Sequence, residues 1–107
     1  MIERAESIYP QIPQFACFDT AFHHTIPEAA ARFPLPRELY DEGIRRYGFH
    51  GLSYESIVQQ IGNGIPRRTV IAHLGSGASL AAIWEGRSID TTMGLTPTGG
   101  IPMASRS

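Results

Sequence analysis

The glycine-rich turn in "HLGSG", residues 73 to 77, is the first candidate for chemistry in this 107-residue sequence. It separates two apolar runs, Thr69 to Leu74 and Ala78 to Trp84. Glycine lets a backbone approach an anion closely and aim several N–H groups at it, and His73 would add a side-chain donor. A plain hairpin turn is the competing interpretation. The spacing matches neither the dinucleotide fingerprint nor a Walker-type loop, which excludes both of those nucleotide folds.

Asp19 and His50 are the next candidates, because each stands at the end or the start of a predicted element. Asp19 follows the apolar run "FACF", and open α/β sheets place ligand chemistry at the carboxyl ends of their strands. A cap on the turn into "TAFHH" is the alternative role for Asp19. His50 precedes the strongest helical pattern, where an anion could meet free helix N–H groups. An incidental loop histidine is the alternative there.

A transition-metal site is the other chemistry that the histidines could suggest. Neighbouring histidines point in different directions on a helix or a strand, and no His-x₃-His spacing occurs. We therefore predict no metal site from the candidate ligands, which are His23, His24, His50, His73, Asp19 and Asp90. Arg106, by itself, has the pattern of a solvated charge near a chain end.

The composition bounds the class of protein. Hydrophobic residues make up 42% and charged residues 18% of the chain, which is typical of one globular domain. The net charge is −1 and the basic residues are scattered, so a nucleic-acid module is excluded. The apolar runs are too short to span a membrane, and the start lacks a signal-peptide pattern, which predicts a cytoplasmic protein. The single cysteine, Cys17, precludes an internal disulfide, and we expect it to pack as a small buried hydrophobe.

Proline and glycine divide the first half of the chain into short elements. We predict a helix over residues 2 to 8 and a short buried strand over residues 15 to 18. Two short helices follow, in "TIPEAAARF" and "LPRELYDEG". Thr25 and Glu28 form a possible capping box for the first, and Gly43 closes the second.

The second half predicts one helix followed by a β-meander. In "LSYESIVQQIG" the apolar side chains recur at helical spacing, Ser53 can cap the start, and Gly62 can end the helix. Three strand-like runs come next, Thr69 to Leu74, Ala78 to Trp84 and Arg87 to Thr92, with tight glycine-containing turns. The tail "MGLTPTGGIPMASRS" is predicted to be a loop.

Taken in series, the motifs closely resemble the central part of the acetokinase family, the acetate and propionate kinases. The resemblance rests on "CFDTAFHHTIPEAA", "LPRELYDEGIRRYGFHGLSY", "VIAHLGSGASLAAIWEGRSIDTTMGLTPTGGIPM" and "SRS". It implies an α/β fold, part of a ribonuclease-H-like, actin-like ATPase domain of the ASKHA group. Residues 1–19 would end the family's first domain, and residues 20–107 would begin its second, nucleotide-binding domain.

The resemblance also implies an activity and a set of site residues. The family transfers the γ-phosphoryl group of ATP to acetate, giving acetyl phosphate and ADP. By motif, Asp19 matches its catalytic aspartate, His50 its transition-state histidine, and Arg106 the arginine that contacts the transferring group. The ATP-phosphate loop would be formed by His73, Leu74, Gly75, Ser76 and Gly77. Acetate has no proton to lose at neutral pH, so we prefer that Asp19 orients Arg106 or organises the metal-phosphate shell.

The implied ligands are ATP or ADP, acetate or another short carboxylate, and Mg²⁺ entering with ATP, whose protein ligands would lie outside this chain. The family implies a homo-oligomer, a dimer, with no nucleic-acid or membrane partner. Three departures from the family pattern lie close in sequence to the matched site residues. They are Ser76 where asparagine is common, Leu52-Ser53-Tyr54 after the histidine motif, and Ala104-Ser105 before Arg106.

The family's N-terminal phosphate turn, adenosine motif and magnesium glutamate have no match here, so we expect an incomplete and inactive fragment. Two alternatives stay open. The chain could be a weak phosphate or nucleotide binder, to be tested by ATP titration monitored at Trp84, or a structural module that assembles with a separately encoded remainder.

Overall fold

The element that positions the site is a three-stranded antiparallel sheet, in the order β1-β2-β3. The computed structural model describes residues 1–105. The strands are β1 (Arg68–Leu74), β2 (Ala78–Trp84) and β3 (Arg87–Thr91). Glu85 and Gly86 join β2 to β3 with φ of 49° and 79°, the left-handed pair that a tight two-residue hairpin requires. The predicted β-meander is confirmed.

Four α-helices precede the sheet. They are α1 (Ile2–Ile8), α2 (Glu28–Ala31), α3 (Arg37–Asp41) and α4 (Gly51–Ile61). Two 3₁₀ segments, Ala21–Thr25 and Gly62–Gly64, supply the tighter connections. Gly62, with φ of 58°, ends α4 as predicted, and Gly43, with φ of 94°, follows α3 as predicted.

The core lies between α4 and one face of the sheet. Tyr54, Ala81 and Ile83 are its buried centre, and Phe22, Val58, Ile65 and Ile71 pack against them. The opposite face of β1 is uncovered, since Val70 is 70% and Leu74 is 76% exposed. Side chains alternate between the two faces of a strand, so His73 lies on the α4 side and Leu74 on the open side.

The predicted strand over residues 15 to 18 is wrong. These residues have no regular structure, and Phe15 and Phe18 are 87% and 68% exposed. Cys17 is exposed as well, not packed as a small hydrophobe. An apolar run becomes a buried strand only when another strand offers hydrogen bonds and a packing face, and residues 1–105 offer this run neither.

Two predicted helix caps are also wrong, because their hydroxyls have tertiary partners. Pro27 is the N-cap of α2, and the Thr25 hydroxyl donates to the carbonyl of Ser88 at 2.7 Å. Helix α4 begins at Gly51 with His50 as its N-cap, two residues before the predicted cap Ser53. Within residues 1–105, no helix has both the length and the apolarity needed to cross a membrane.

Candidate functional site

The N-terminus of α4 meets the carboxylate of Asp19. One oxygen of Asp19 accepts from the backbone N–H of His50 at 2.6 Å, and the other accepts from that of Leu52 at 3.4 Å. The carbonyl of Asp19 accepts from the N–H of Gly51 at 2.8 Å. A carboxylate is favourable here because the first N–H groups of a helix have no partner within the helix.

His50 has a left-handed backbone, with φ of 60° and ψ of 21°. This conformation is uncommon for a residue with a side chain, and the bonds from the helix start to Asp19 hold it in place. A Cβ atom at Gly51 would lie 2.2 Å from the Asp19 carbonyl oxygen, so only glycine fits beside His50. The last glycine of the motif Gly-Phe-His-Gly is therefore required by this close approach.

The imidazole of His50 stacks on that of His73, with ring centroids 3.9 Å apart and planes inclined by 16°. On one edge, the Nδ1 atoms contact serine hydroxyls: His50 meets Ser79 at 2.9 Å and His73 meets Ser53 at 3.0 Å. On the other edge, the Nε2 atoms face the glycine-rich turn. A Cβ at Gly77 would lie 3.1 Å from Nε2 of His50.

The turn itself is a compact backbone loop in which two of the described N–H groups have no protein acceptor. The N–H of Gly75 donates to the carbonyl of Gly77 at 2.9 Å, and the carbonyl of Ser76 accepts from the N–H of Ala104 at 3.2 Å. Within residues 1–105, the N–H groups of Ser76 and Gly77 donate to no protein acceptor. The stacked histidines and these N–H groups together suit an anion.

The surroundings of His50 disfavour its charged form in the free protein. Burial lowers the pKa of His50 below its ordinary value, the neighbouring His73 lowers it further, and Asp19 acts in the opposite direction. A bound phosphate would favour the charged imidazole and raise this pKa. The site can therefore offer a neutral N–H donor that becomes more basic as negative charge accumulates beside it.

The structure brings together most of the residues that the sequence predicted. Asp19, His50, His73 and the backbone of residues 75–77 converge, whereas the side chain of Leu74 lies on the open face of the sheet. Arg106 lies outside the described residues.

Three side chains of the site were missed by sequence reasoning: Ser53, Tyr54 and Ser79. The β1-β2 register is symmetric about Ser76, so a hairpin centred there pairs His73 with Ser79. That register was readable from the positions of Gly75 and Gly77. Tyr54 lies one helical turn beyond His50 on α4, and its hydroxyl contacts the Ser79 hydroxyl.

The other two histidines have structural partners. Nδ1 of the buried His23 contacts the Ser88 hydroxyl at 2.7 Å, and Nε2 donates to the carbonyl of Phe49 at 3.0 Å. His24 is exposed and its Nδ1 donates to the carbonyl of Ala21. Across residues 1–105, no three histidine, cysteine, aspartate or glutamate side chains are grouped so that they could hold a metal ion.

Trp84 is badly placed to report on the turn. It stands at the other end of β2 from Gly77, roughly 20 Å away at the usual rise per strand residue. Its ring lies under the guanidinium groups of Arg67 and Arg68, at 4.5 and 5.3 Å. ATP binding at the turn needs another readout than tryptophan fluorescence.

Comparison with known proteins identifies relatives along the whole chain. The model of the acetokinase family matches residues 1–107. The acetate kinase of Rhodopseudomonas palustris (strain ATCC BAA-98 / CGA009) is 53% identical over 113 residues, and that of Dichelobacter nodosus is 53% identical over 109 residues. Each alignment covers 98% of this chain and 28% of the relative, so the chain spans little more than a quarter of their length.

Solved structures of similar proteins have the same fold over this segment. A propionate kinase from Francisella tularensis superposes with a TM-score of 0.91 and 43% identity, covering 99% of this chain and 29% of its own. The acetate kinase of Porphyromonas gingivalis gives a TM-score of 0.85 and 38% identity, covering 99% and 28%.

Proposed function

The chain belongs to the acetokinase family, and from that premise we propose that it supplies part of the phosphoryl-transfer site of an acetate or propionate kinase. The fold is the corresponding part of the ASKHA fold of acetate kinases. The observation that carries the proposal is the convergence of His50 and His73 on the Gly75–Gly77 turn, with Asp19 behind them.

Phosphoryl transfer places negative charge on the equatorial oxygens of the transferring group, so positioned hydrogen-bond donors are its main requirement. In the proposed site the turn receives the ATP phosphates, and Nε2 of His50 donates to the transferring group. Arg106 is proposed as a second, cationic donor. The acceptor is acetate, propionate or another short carboxylate.

Asp19 is proposed to position His50 and not to move a proton. Its carboxylate already accepts two backbone N–H groups at the start of α4, and a carboxylate acceptor such as acetate has no proton to lose at neutral pH. Orientation of Arg106, or of the metal-phosphate shell, is a further proposed role for Asp19.

Mg²⁺ is a general requirement of ATP-dependent phosphotransfer in this family, and we propose that it enters with ATP. The described residues contain no three-ligand cluster, and Asp19 is engaged with backbone donors. Mg²⁺ is usually held by substrate phosphates and one or two carboxylates.

The domain boundary at residue 19, the cytoplasmic location and a homodimeric assembly belong to the same proposal. They rest on the family resemblance, and the use of ATP as substrate supports a cytoplasmic location. A non-catalytic phosphate-binding role is the second candidate, favoured by the fact that the donors of the turn are assembled within residues 1–105. Calorimetric titration with ATP would detect it.

A chimera tests the proposed function. The matched segment of the Rhodopseudomonas palustris acetate kinase is replaced by residues 1–107, and acetyl phosphate formed from ATP and acetate is trapped as the hydroxamate. We expect an active chimera in which His50→Ala lowers kcat about 100-fold or more, since one positioned donor is lost. His24→Ala, a change in an exposed histidine, is the matched control and should keep full activity. An unchanged rate in His50→Ala would overturn the proposed role.

The isolated chain is expected to show no kinase activity, because electrostatic catalysis needs all converging groups in one water-excluded cleft. Acetyl phosphate above the no-enzyme blank would contradict this expectation.

A further inference from the structure

Two buried, hydrogen-bonded hydroxyl groups, those of Tyr54 and Ser79, lead to the ring of His50. The Ser79 hydroxyl lies 2.9 Å from Nδ1 of His50, and the Tyr54 hydroxyl contacts the same oxygen of Ser79. Tyr54 and Ser79 are both 0% exposed. Because water does not reach these two residues, their polar atoms must satisfy each other and the imidazole.

The protonation state of the Tyr54 phenol determines which group donates in each of these hydrogen bonds. Burial raises the pKa of Tyr54 above its ordinary value, so the phenol keeps its proton at neutral pH. The contacts with Ser79 and with the backbone of His73 act to lower this pKa, but burial is the larger effect. The acceptor beside the Tyr54 proton, within residues 1–105, is the Ser79 oxygen.

A serine hydroxyl that accepts from tyrosine donates its own proton onward. The Ser79 proton then points to Nδ1 of His50, which must be the unprotonated nitrogen of a neutral ring. The single ring proton is left on Nε2, the edge that faces Gly77 of the turn. In the opposite order, the Tyr54 proton would have no acceptor among the described residues.

We propose that Tyr54 and Ser79 are positioning residues that hold His50 as its Nε2–H tautomer, with an N–H donor aimed at the Gly75–Gly77 turn. The proposal rests on the proposed function and deepens it, since it names the residues that prepare the donor for the transferring phosphoryl group. Helix α4, through Tyr54, and strand β2, through Ser79, thus set the chemistry of the His50 side chain, although Ser79 is 29 residues away in sequence. Ser53, which contacts His73, does not take part.

Nitrogen NMR of the chain, labelled with ¹⁵N at histidine alone, tests this directly. Long-range ¹H–¹⁵N correlation above pH 7 distinguishes a protonated ring nitrogen from an unprotonated one. We expect His50 to show an unprotonated Nδ1 and a protonated Nε2. In Ser79→Ala the difference in chemical shift between the two nitrogens should shrink, because Nδ1 loses its donor and both tautomers become populated.

Conservative variants distinguish a change in the tautomer of His50 from a loss of the fold. Ser79→Thr keeps a hydroxyl and should restore the His50 signature, whereas Tyr54→Phe keeps the ring and should shift His50 in the same direction as Ser79→Ala, by less. Ser56→Ala, which removes an exposed hydroxyl from the same helix, is the matched control and should leave His50 unchanged. The signals of His23, which contacts Ser88, report in each spectrum whether the fold is intact.

A proton on Nδ1 of His50 in the unmodified chain would overturn the proposal, as would an unchanged His50 spectrum in Ser79→Ala. If the variants do not fold, the tautomer of the unmodified chain decides the question. The spectrum does not depend on kinase activity. An inactive chimera together with the expected tautomer would therefore contradict the proposed function but not this inference. An active chimera together with the Nδ1–H tautomer would contradict this inference but not the proposed function.

Discussion

At the residue scale, His50 combines three features that are uncommon in a single residue. Its backbone is left-handed, its N–H is bound by Asp19, and its ring is stacked on His73. Left-handed residues with side chains cost free energy and persist only where the surroundings over-determine them. Such sites are often preorganised for function, and His50 is held from the backbone, from the ring face and from Nδ1.

We expect Gly77 to be needed because it leaves space for the phosphates beside His50, and not because folding depends on it. A Cβ there would lie 3.1 Å from Nε2 of His50, in the region proposed for the phosphates. In the active chimera, Gly77→Ala should lower kcat/KM at least tenfold without lowering the midpoint of thermal unfolding by more than a few degrees. Gly64→Ala adds a Cβ in ordinary contact at 3.8 Å and is the matched control. Equal activity of the two variants would contradict this expectation.

His23 makes the stability of the chain dependent on pH. Burial lowers its pKa below the ordinary value of 6.5, and the pKa of His50 is lowered as well. Below pH of about 6.5 these histidines bind more protons in the unfolded chain than in the folded one. Their contribution to stability is therefore complete above that pH and is lost as the pH falls towards the lower pKa values of the folded state.

Urea unfolding at dilute concentration, between pH 8 and pH 5, measures this dependence. His23→Gln should flatten the loss of stability towards low pH, although it lowers stability at pH 8 through lost bonds to Ser88 and Phe49. His24→Gln, in the exposed neighbour, should keep the dependence of the unmodified chain. An identical slope in His23→Gln would show that another group is responsible.

At the element scale, short helices are held by tertiary hydrogen bonds. Helix α2 has only four residues, too few to persist alone. Arg46 anchors it, since its side chain donates to the carbonyls of Ala30 at 3.2 Å and of Thr91 at 2.8 Å. The same residue thereby joins the end of α2 to the end of β3 and fixes the loop that leads to His50.

Arg46→Lys should lower the free energy of unfolding by about 1–3 kcal/mol, because one ammonium cannot replace both donors in this geometry. Arg37→Lys is the matched control. Its ion pairs are exposed, with 58% of the side chain accessible, and the change should cost less than about 0.5 kcal/mol. Urea midpoints of the two variants compare them, and equal losses would show that Arg46 does not anchor the loop.

At the scale of the whole molecule, the chain is more open than a typical independent domain. Its accessible surface is 7,505 Å², against about 5,900 Å² expected for a monomer of this mass. Its radius of gyration is 16.0 Å, against about 13 Å for a compact domain of similar length. Apolar side chains such as Phe15, Val70 and Leu74 account for part of this exposure.

We expect the isolated chain to self-associate in solution, since large exposed apolar surfaces bind one another. Sedimentation velocity at rising concentration should show species larger than the monomer. Val70→Lys, on the open face of β1, should reduce association, whereas Ala29→Lys on the exposed side of α2 should not. A single monomeric species at all concentrations would contradict the expectation.

The elements that the sequence predicted correctly are those whose signals are local. The apolar period of residues 51–61 and its terminal Gly62 predicted α4, and alternating runs with tight turns predicted the meander. The strand over residues 15 to 18 was wrong because strand formation depends on a partner elsewhere in the chain. The caps at Thr25 and Ser53 were wrong because distant groups, Ser88 and His73, bind those hydroxyls.

The sequence by itself determined the family, through motifs in series, and with it the candidates Asp19, His50 and His73. Only the tertiary structure decided that the two imidazoles stack, that Ser79 contacts Nδ1 of His50, and that Tyr54 contacts Ser79. Ser79 is 29 residues from His50 and 25 from Tyr54. Contacts over such separations depend on the packing of α4 against the sheet, which is not encoded in a local pattern of residues.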